Sequence, residues 1–190
     1  MRSGKLLLVS GGARSGKSTF AENHAKISGR EVVYVATSQV LDEEMRARVE
    51  AHRRFRPSSW PTVEEPYALE KVLWHHGRRR ERLLLIDCLT LWLSNIMLEK
   101  LGFDGEQLTG REPDPVIVTD IIARAKNTAA LAAKVPAEVV VVTNEVGWGL
   151  VPENPLARLY RDLAGKVNQA FATAADEVYM LVAGLPLRLK

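Results

Sequence analysis

The residues with the clearest chemical meaning lie in one stretch near the start of the chain. Residues 11–18 are Gly-Gly-Ala-Arg-Ser-Gly-Lys-Ser, which fits the phosphate-binding loop (P-loop) pattern of a glycine, four further residues and Gly-Lys-Ser. Its glycines let the backbone turn tightly and approach a polyphosphate closely. We expect Lys17 to reach the outer phosphates and the Ser18 hydroxyl to hold a magnesium ion. The alternative is a Gly-rich turn with one stray lysine.

The elements predicted on either side argue against that alternative. Residues 5–9 (Lys-Leu-Leu-Leu-Val) predict a buried strand, and residues 19–27 predict a helix that ends near Gly29. A loop between such elements directs its backbone N–H groups inward, at the positive end of the helix dipole. The expected phosphate cradle is therefore the whole loop: Gly11, Gly12, Ala13, Arg14, Ser15, Gly16, Lys17 and Ser18.

Apolar strands alternate with amphipathic helices along the rest of the chain. Helices are expected over 42–55, 67–74 and 90–101 and from 115 and 155, with a surface loop over 103–113; strands are expected at 31–36, 83–86, 138–142, 177–182 and 185–189. This alternation predicts an α/β fold with a mostly parallel sheet and helices on both faces. With the loop, it indicates the three-layer, RecA-like P-loop NTPase fold as one domain over residues 1–190.

Polar residues follow several of the predicted strands. Since ligands of such sheets bind beyond the carboxyl ends of the strands, we expect a site formed by 11–18, Thr37-Ser38, Asp87 and 143–145. Asp87 follows four apolar residues, as the magnesium-side acid of this fold class does. It could hold the metal or a metal-bound water, or it could merely cap the helix that starts at Thr90.

His52 has two interpretations. On the predicted helix 42–55 it continues the apolar stripe of Met45 and Val49, and such a histidine is more often packed or on the surface. Five arginines, however, crowd the same segment: Arg46, Arg48, Arg53, Arg54 and Arg56. Guanidinium groups match phosphate oxygens, and a neutral imidazole among them could attack phosphorus. Simple solvation is the alternative for each arginine.

The composition narrows the class of protein. The chain has 190 residues, 46% hydrophobic and 26% charged, with a net charge of +3, which suits anionic substrates and does not indicate a nucleic-acid binder. The single cysteine, Cys88, excludes an internal disulfide, and the histidines show no zinc-ligand spacing. No apolar run approaches bilayer length and no signal peptide is expected, so we expect a cytoplasmic protein without a membrane span.

Five stretches together resemble one known family. They are GGARSGKS at 11–18, YVATSQVLDEEMRARV at 34–49, HRRFRP at 52–57, VVTNEVGWGLVPENPLAR at 141–158 and RDLAGKVNQ at 161–169. They resemble the bifunctional adenosylcobinamide kinase/adenosylcobinamide-phosphate guanylyltransferases of cobalamin biosynthesis. The resemblance covers nearly the whole chain and is weakest near residues 66–82 and 98–115.

The resemblance implies two reactions. In the first, ATP or GTP phosphorylates the aminopropanol hydroxyl of adenosylcobinamide. In the second, GTP donates GMP to adenosylcobinamide phosphate, which gives adenosylcobinamide-GDP and pyrophosphate. The family's second step passes through a guanylylated histidine that opens a His-Arg/Lys-x-x-Arg-Pro motif, and this motif begins here at His52. Ala51 precedes it, so the motif offers one imidazole. Mg²⁺ as cofactor and a homotrimer are further expectations.

The same resemblance implies which residues form the site. Lys17 and His52 are the expected catalytic residues, and Ser18 and Asp87 are the expected metal ligands. Asp87 can be Glu in relatives, and Asp keeps the charge. The loop over 145–154 is a candidate for the corrinoid site. Beyond the P-loop, the implied nucleotide contacts are Ala36, Thr37, Ser38, Arg53, Arg54, Phe55, Arg56, Glu64 and Asp87.

Three rival functions fit parts of the pattern. A monofunctional small-molecule kinase would keep the P-loop but leave His52 without a chemical role. A regulatory GTP-binding switch usually carries an Asn-Lys-x-Asp motif, which this sequence lacks, and Thr143-Asn144-Glu145 does not replace it. A non-catalytic nucleotide-binding module would bind a nucleotide without turnover.

Overall fold

The computed structural model describes residues 4–39, 43, 56–102 and 114–190. The strands are β1 (Leu6–Gly11), β2 (Glu31–Ala36), β3 (Thr62–Glu64), β4 (Arg82–Asp87), β5 (Glu138–Val142), β6 (Glu177–Val182) and β7 (Leu185–Arg188). The helices are α1 (Lys17–Ile27), α2 (Leu69–His76), α3 (Leu89–Lys100), α4 (Pro115–Ala132) and α5 (Pro155–Ala174). The helix predicted over 42–55 lies outside the described residues except at Glu43, and so does the loop predicted over 103–113.

The strands form one seven-stranded sheet in the order β3-β2-β4-β5-β1-β6-β7. Neighbouring strands pair in parallel except β6 and β7, which are antiparallel. The central strands β1, β4 and β5 are almost entirely buried, as their continuous apolar sequences require. The predicted mostly parallel sheet is confirmed.

Helices cover both faces of this sheet. On one face, α1 packs Ala21 and Ala25 into a core that includes Leu7 and Tyr34 of the strands. On the other face, α2 to α5 surround a larger core with Trp92 at its centre. The fold therefore has the three layers that the alternation predicts. Within the described residues, no helix combines the length and the hydropathy needed to cross a bilayer.

The predicted helix starts are confirmed where polar caps mark them. Asp114 Oδ1 accepts a hydrogen bond from the Val116 N–H at 2.8 Å, and Pro115 takes the first helical position of α4. Asn154 Oδ1 caps α5 in the same way. Helix α1 begins at Lys17, two residues before the predicted start, because the P-loop turns directly into the helix at Gly16.

The pattern of apolar residues does not predict β3, which is short and half exposed. This strand pairs with β2, and the register of the sheet then aligns the carboxyl ends of four strands. Glu64 is opposite Ala36, Ala36 is opposite Asp87, and Asp87 is opposite Val142 of β5. Strand β1, which enters the P-loop, continues the same row because Val9 is opposite Val142.

Candidate nucleotide-binding and transfer site

The P-loop joins β1 to α1 through a backbone that glycine alone can follow at its first position. Gly11 has φ +150, and a Cβ there would lie 2.5 Å from the Leu181 carbonyl oxygen and 2.7 Å from Ser15 Oγ. Real Cβ atoms do not approach oxygen this closely. Gly16, with φ +96, then turns the chain into α1. A steric clash therefore excludes any residue but glycine at position 11, and the positive φ favours glycine at position 16.

Lys17 folds back across the loop. Its Nζ donates a hydrogen bond to the Gly12 carbonyl oxygen at 2.5 Å, and the residue is only 7% exposed. Burial lowers the pKa of the Lys17 ammonium, and the nearby Cys88 and Asp87 act in the opposite direction. The expected phosphate-binding lysine is therefore held within the loop, and Asp87 is close enough to act on its charge.

Two further features of the loop suit an anion. Ser15 Oγ is buried and has no hydrogen-bond partner within the described chain. A buried hydroxyl without a partner is costly, so a phosphate oxygen that accepted its proton would remove the cost. No described side chain caps the N-terminus of α1, which leaves the positive end of the helix dipole facing the loop.

Asp87 lies at the carboxyl end of β4 and is held there by a tyrosine. The Tyr34 hydroxyl donates a hydrogen bond to Asp87 Oδ2 at 2.9 Å. Tyr34 comes from the neighbouring strand β2, and the Arg56 guanidinium carbon lies 3.6 Å from the centroid of its ring. Arg56 is the last arginine of the motif that begins at His52. The geometry thus joins this motif's C-terminal end to the candidate metal-side carboxylate.

Known proteins resemble this chain over nearly its whole length. A family model described as cobinamide kinase / cobinamide phosphate guanyltransferase matches residues 7–189. The chain belongs to this family. The bifunctional adenosylcobalamin biosynthesis protein CobU of Escherichia coli (strain K12) is 41% identical over 189 residues, with 97% of this chain and 99% of that protein covered. CobP of Pseudomonas aeruginosa, which carries the same description, is 41% identical over 185 residues, with 96% of each chain covered.

Solved structures agree on the fold. A protein from Pyrococcus horikoshii OT3 aligns with a TM-score of 0.56 at 7% identity, over 100% of this chain and 88% of that chain. An ATPase from a bacterial type III secretion system aligns with a TM-score of 0.54 at 15% identity, over 94% of this chain and 51% of that chain. The predicted P-loop NTPase fold is confirmed, and at these identities the likeness concerns the fold alone.

The motif at 52–57 that resembles the family's is described only in part. His52, Arg53, Arg54 and Phe55 lie outside the described residues, and their predicted roles stay predictions. Of the other expected contacts, Ala36, Glu64 and Asp87 share the row at the sheet edge, with Glu64 exposed. Exposed loop residues are Gly12, Ala13 and Arg14, whereas Ser18 and Ser38 are half buried.

Thr37 makes contacts that its sequence position does not reveal. Its Oγ1 donates to the Cys88 carbonyl oxygen at 2.7 Å and accepts from the Cys88 N–H at 2.8 Å. Asn95 Nδ2 donates to the Thr37 carbonyl oxygen at 2.8 Å. Thr37 is fully buried, so in this structure its hydroxyl fixes the end of β4 next to Asp87. Its predicted contact with the nucleotide stays a prediction.

The P-loop is also supported by a turn that the sequence does not predict to lie there. The turn between β6 and β7 packs against the P-loop, and the Gly184 N–H donates to the Ser15 carbonyl oxygen at 3.0 Å. Gly184 has φ +83 and follows Ala183 at φ +51. The Gly184 Cα lies 3.3 Å from where a Cβ on Gly16 would stand. The only signal in the sequence was a small Ala183-Gly184 pair between the strands predicted at 177–182 and 185–189.

Residues 143–145, which the topology predicts at this edge, belong to a polar network next to the P-loop whose hydrogen bonds the sequence does not predict. Asn144 Nδ2 donates to Thr90 Oγ1 at 2.9 Å, and Asn168 Nδ2 donates to the Asn144 carbonyl oxygen at 3.0 Å. The Glu145 N–H donates to the Gly11 carbonyl oxygen at 2.9 Å, which ties the segment after β5 to the loop. Beyond it, Trp148 is 76% exposed. The candidate corrinoid loop thus starts at the cradle.

Other candidate reactive groups are engaged elsewhere. Burial raises the pKa of the Cys88 thiol, with Asp87 acting in the same direction, so Cys88 stays a neutral thiol and a poor nucleophile. Glu65 Oε1 accepts hydrogen bonds from the Tyr67 and Ala68 N–H groups and thereby caps the start of α2.

A cavity of about 460 Å³ lies at the opposite, amino-terminal edge of the sheet. Its charged lining is largely paired internally: Lys5 Nζ lies 3.0 Å from Glu177 Oε1, and Arg30 Nε lies 2.9 Å from Glu138 Oε2. Because it is at the other end of the strands from the P-loop, this cavity does not belong to the transfer site.

A divalent metal fits the donors at the P-loop. The described residues contain no group of three or more His, Cys, Asp or Glu that could hold an ion by themselves. A serine hydroxyl and a single carboxylate are hard oxygen donors, which suit a cation that takes its remaining ligands from phosphate and water. Asp87 Oδ2 accepts the hydrogen bond from the Tyr34 hydroxyl, and Oδ1 accepts none from the described residues.

Proposed function

We propose that this chain carries out both reactions of its family. It phosphorylates adenosylcobinamide with ATP or GTP, and it then transfers GMP from GTP to adenosylcobinamide phosphate, which yields adenosylcobinamide-GDP and pyrophosphate. The observation that carries the proposal is the P-loop with Lys17 folded into it, beside the row of strand ends that contains Asp87, within a chain that matches the family over residues 7–189.

The kinase step needs positioning and charge neutralisation rather than covalent chemistry. The N–H groups of the loop and the N-terminus of α1 would bind the phosphates, and Lys17 would exchange the Gly12 carbonyl for a phosphate oxygen. Ser15 Oγ would supply a further donor. These roles are supported by the contact of Lys17 with Gly12 and by the unpartnered hydroxyl of Ser15.

Ser18 and Asp87 would hold Mg²⁺ at the same phosphates. The ion supplies charge neutralisation on the phosphate oxygens when it is bound. The protein's part is to hold the Ser18 hydroxyl and the Asp87 carboxylate in fixed positions. For Asp87, the register of the sheet supports this role, because it places the residue in the same row as the end of β1, the strand that enters the P-loop.

The guanylyl step needs a nucleophile, and we assign His52 to it. The neutral imidazole would form a P–N bond to the α-phosphorus of GTP while the bond to pyrophosphate breaks. An oxygen of adenosylcobinamide phosphate would then form the new P–O bond while the P–N bond breaks and the imidazole is regenerated. The contact of Arg56 with Tyr34 supports the assignment, because Arg56 lies four residues after His52 in the family motif.

The test compares His52→Ala with Lys17→Ala. With GTP labelled at the α-phosphate, the wild type should retain label on the protein and His52→Ala should not, whereas His52→Ala should keep much of the kinase activity. Lys17→Ala should lose both reactions, because the phosphates of the donor lose their cation. Equal labelling of His52→Ala would exclude the histidine as nucleophile, and an unimpaired kinase in Lys17→Ala would exclude the loop assignment.

The same measurements separate the rival functions. A monofunctional kinase would give phosphate transfer without label in the wild type. A regulatory switch would hydrolyse GTP at a rate that added cobinamide leaves unchanged, and a binding module would show no turnover.

We further propose a homotrimer in the cytoplasm, where ATP and GTP are supplied. Analytical ultracentrifugation would contradict the trimer if the species had the mass of a monomer or a dimer.

A further inference from the structure

Three side chains from separate parts of the chain form a continuous contact beside the P-loop. Arg56 stacks over the ring of Tyr34, with 3.6 Å from guanidinium carbon to ring centroid, and the Tyr34 hydroxyl donates to Asp87 Oδ2 at 2.9 Å. Tyr34 is opposite Leu85 in the register, two residues before Asp87. Side chains alternate along a strand, so Tyr34 and Asp87 lie on the same face of the sheet.

We propose that Tyr34 is a positioning residue for the nucleotide site: its hydroxyl orients the Asp87 carboxylate toward the divalent ion, and its ring holds Arg56 in register with that carboxylate. The inference rests on the proposed function, which makes Asp87 a metal ligand and Arg56 a nucleotide contact. Tyr34 itself touches neither substrate nor metal. Its role is to hold the Asp87 carboxylate and the Arg56 guanidinium at a fixed separation, so that both groups can act on one bound triphosphate.

The burial of Tyr34 makes this role specific. The residue is 4% exposed and belongs to the core between α1 and the sheet, so packing restricts the movement of its ring. Its hydroxyl hydrogen is directed to one carboxylate oxygen, and Oδ1 of Asp87 has no hydrogen-bond partner within the described chain. A carboxylate held through one oxygen presents the other in a fixed direction, which a monodentate metal ligand requires.

The two halves of the contact can be separated by substitution. Tyr34→Phe removes the hydrogen bond to Asp87 and keeps the ring under Arg56. Tyr34→Leu removes both. The matched control is Tyr179→Phe, which removes the hydroxyl of a second tyrosine on the same sheet, one that lies 3.4 Å from Glu177 and packs against Phe20.

The decisive measurement is Mn²⁺ binding by electron paramagnetic resonance, in the presence of a non-hydrolysable GTP analogue. Tyr34→Phe should weaken Mn²⁺ binding by about ten- to a hundredfold, the size of effect expected when a metal ligand loses the hydrogen bond that orients it. Tyr179→Phe should bind Mn²⁺ as the wild type does. In the kinase assay, Tyr34→Phe should raise the half-saturating Mg²⁺ concentration by a similar factor and recover most of its kcat at saturating Mg²⁺. Tyr34→Leu should in addition lower the yield of guanylylated enzyme.

A double-mutant cycle keeps the test independent of folding. If Tyr34 acts through Asp87, Tyr34→Phe should change Mn²⁺ binding in the wild type but not in Asp87→Asn, and melting curves without nucleotide should show that each variant is folded at the assay temperature. Unchanged Mn²⁺ binding in Tyr34→Phe, or equal effects in both backgrounds, would overturn the proposal. Absence of cobinamide turnover in the wild type would refute the proposed function instead, while the binding cycle would still decide the role of Tyr34.

Discussion

Replacing single glycines of the P-loop by alanine tests whether its sequence is dictated by packing or by the ligand. In Gly11→Ala the new Cβ would lie 2.5 Å from the carbonyl oxygen and 3.2 Å from the nitrogen of Leu181. Leu181 is the register partner of Gly11 on β6, so the strain falls on the backbone of the two paired strands β1 and β6. Overpacking costs about 1–3 kcal/mol, and a residue in an unfavourable φ region adds about 1–3 kcal/mol.

We therefore expect Gly11→Ala to lose about 2–6 kcal/mol of unfolding free energy. At about 2–4 °C per kcal/mol for a chain of this size, its Tm should fall by about 4–24 °C. Gly12→Ala is the matched control, because no atom lies within 4 Å of the position of its Cβ. Its stability should stay within about 0.5 kcal/mol of the wild type.

Nucleotide binding should rank the same two variants differently. Gly12 is exposed and its carbonyl oxygen accepts the hydrogen bond from Lys17, so a methyl group there would stand where the phosphates approach. Gly12→Ala should thus melt normally without ligand but gain less Tm from added GTP than the wild type does. Thermal melting with and without GTP measures both effects. A wild-type Tm in Gly11→Ala, or a normal GTP response in Gly12→Ala, would refute this account of the loop.

Two further predictions concern the supports of the site. Gly184→Ala places alanine at φ +83 with no atom within 4 Å of its Cβ, so its cost is about 1–2 kcal/mol of backbone strain. The strain should shift the turn whose Gly184 N–H donates to the Ser15 carbonyl oxygen, and the KM for GTP should rise as a result. An unchanged KM would contradict a supporting role for this turn. The pKa of Glu138 is lowered below its ordinary 4.5, chiefly by the hydrogen bond with His24 and with help from Arg30, while burial acts in the opposite direction. The ionised Glu138 carboxylate therefore stabilises the folded chain fully above pH 4.5, and this stabilisation is lost as the pH falls through the lower folded pKa. Urea unfolding at a series of acidic pH values should therefore show a steeper loss of stability on acidification for the wild type than for Glu138→Gln, and parallel curves would contradict this.

The strands could be predicted where burial leaves a mark in the sequence, and β3 shows where it does not. Residues 138–142 are apolar after the first residue because both faces of β5 are covered. Strand β3 has three residues, Thr-Val-Glu, on the edge of the sheet. What makes it a strand is the unpaired edge of β2: the Tyr34 N–H donates to the Pro61 carbonyl at 3.0 Å, and the Glu65 N–H donates to the Ala36 carbonyl at 2.9 Å. Those partners are distant in sequence, so no local pattern carries the signal.

The site shows the same limit at the level of side chains. Topology alone could bring residues 11–18 and Asp87 to one edge, since parallel strands end together. In the strand Glu-Val-Val-Tyr-Val-Ala, however, Tyr34 has the pattern of a core residue, and only the fold reveals that its hydroxyl meets a carboxylate 53 positions away. Thr37 could be identified as a residue of the site, yet its hydroxyl is engaged by the backbone of Cys88. A sequence gives the type of a polar group, and the fold decides its partner.

The fixed geometry of the cradle has a consequence for a site that performs two transfers. Kinase and guanylyl chemistry break different bonds of the triphosphate, at the γ- and α-phosphorus, yet the loop is held from several sides, with the Ser15 carbonyl tied to Gly184 and the Gly11 carbonyl tied to Glu145. A loop bound in this way presents the triphosphate in one manner. The choice between the two reactions must then come from what is brought to the nucleotide, the acceptor hydroxyl or the imidazole of His52. Substitutions in the loop should accordingly lower both activities together, and substitutions in the motif at 52–57 should separate them.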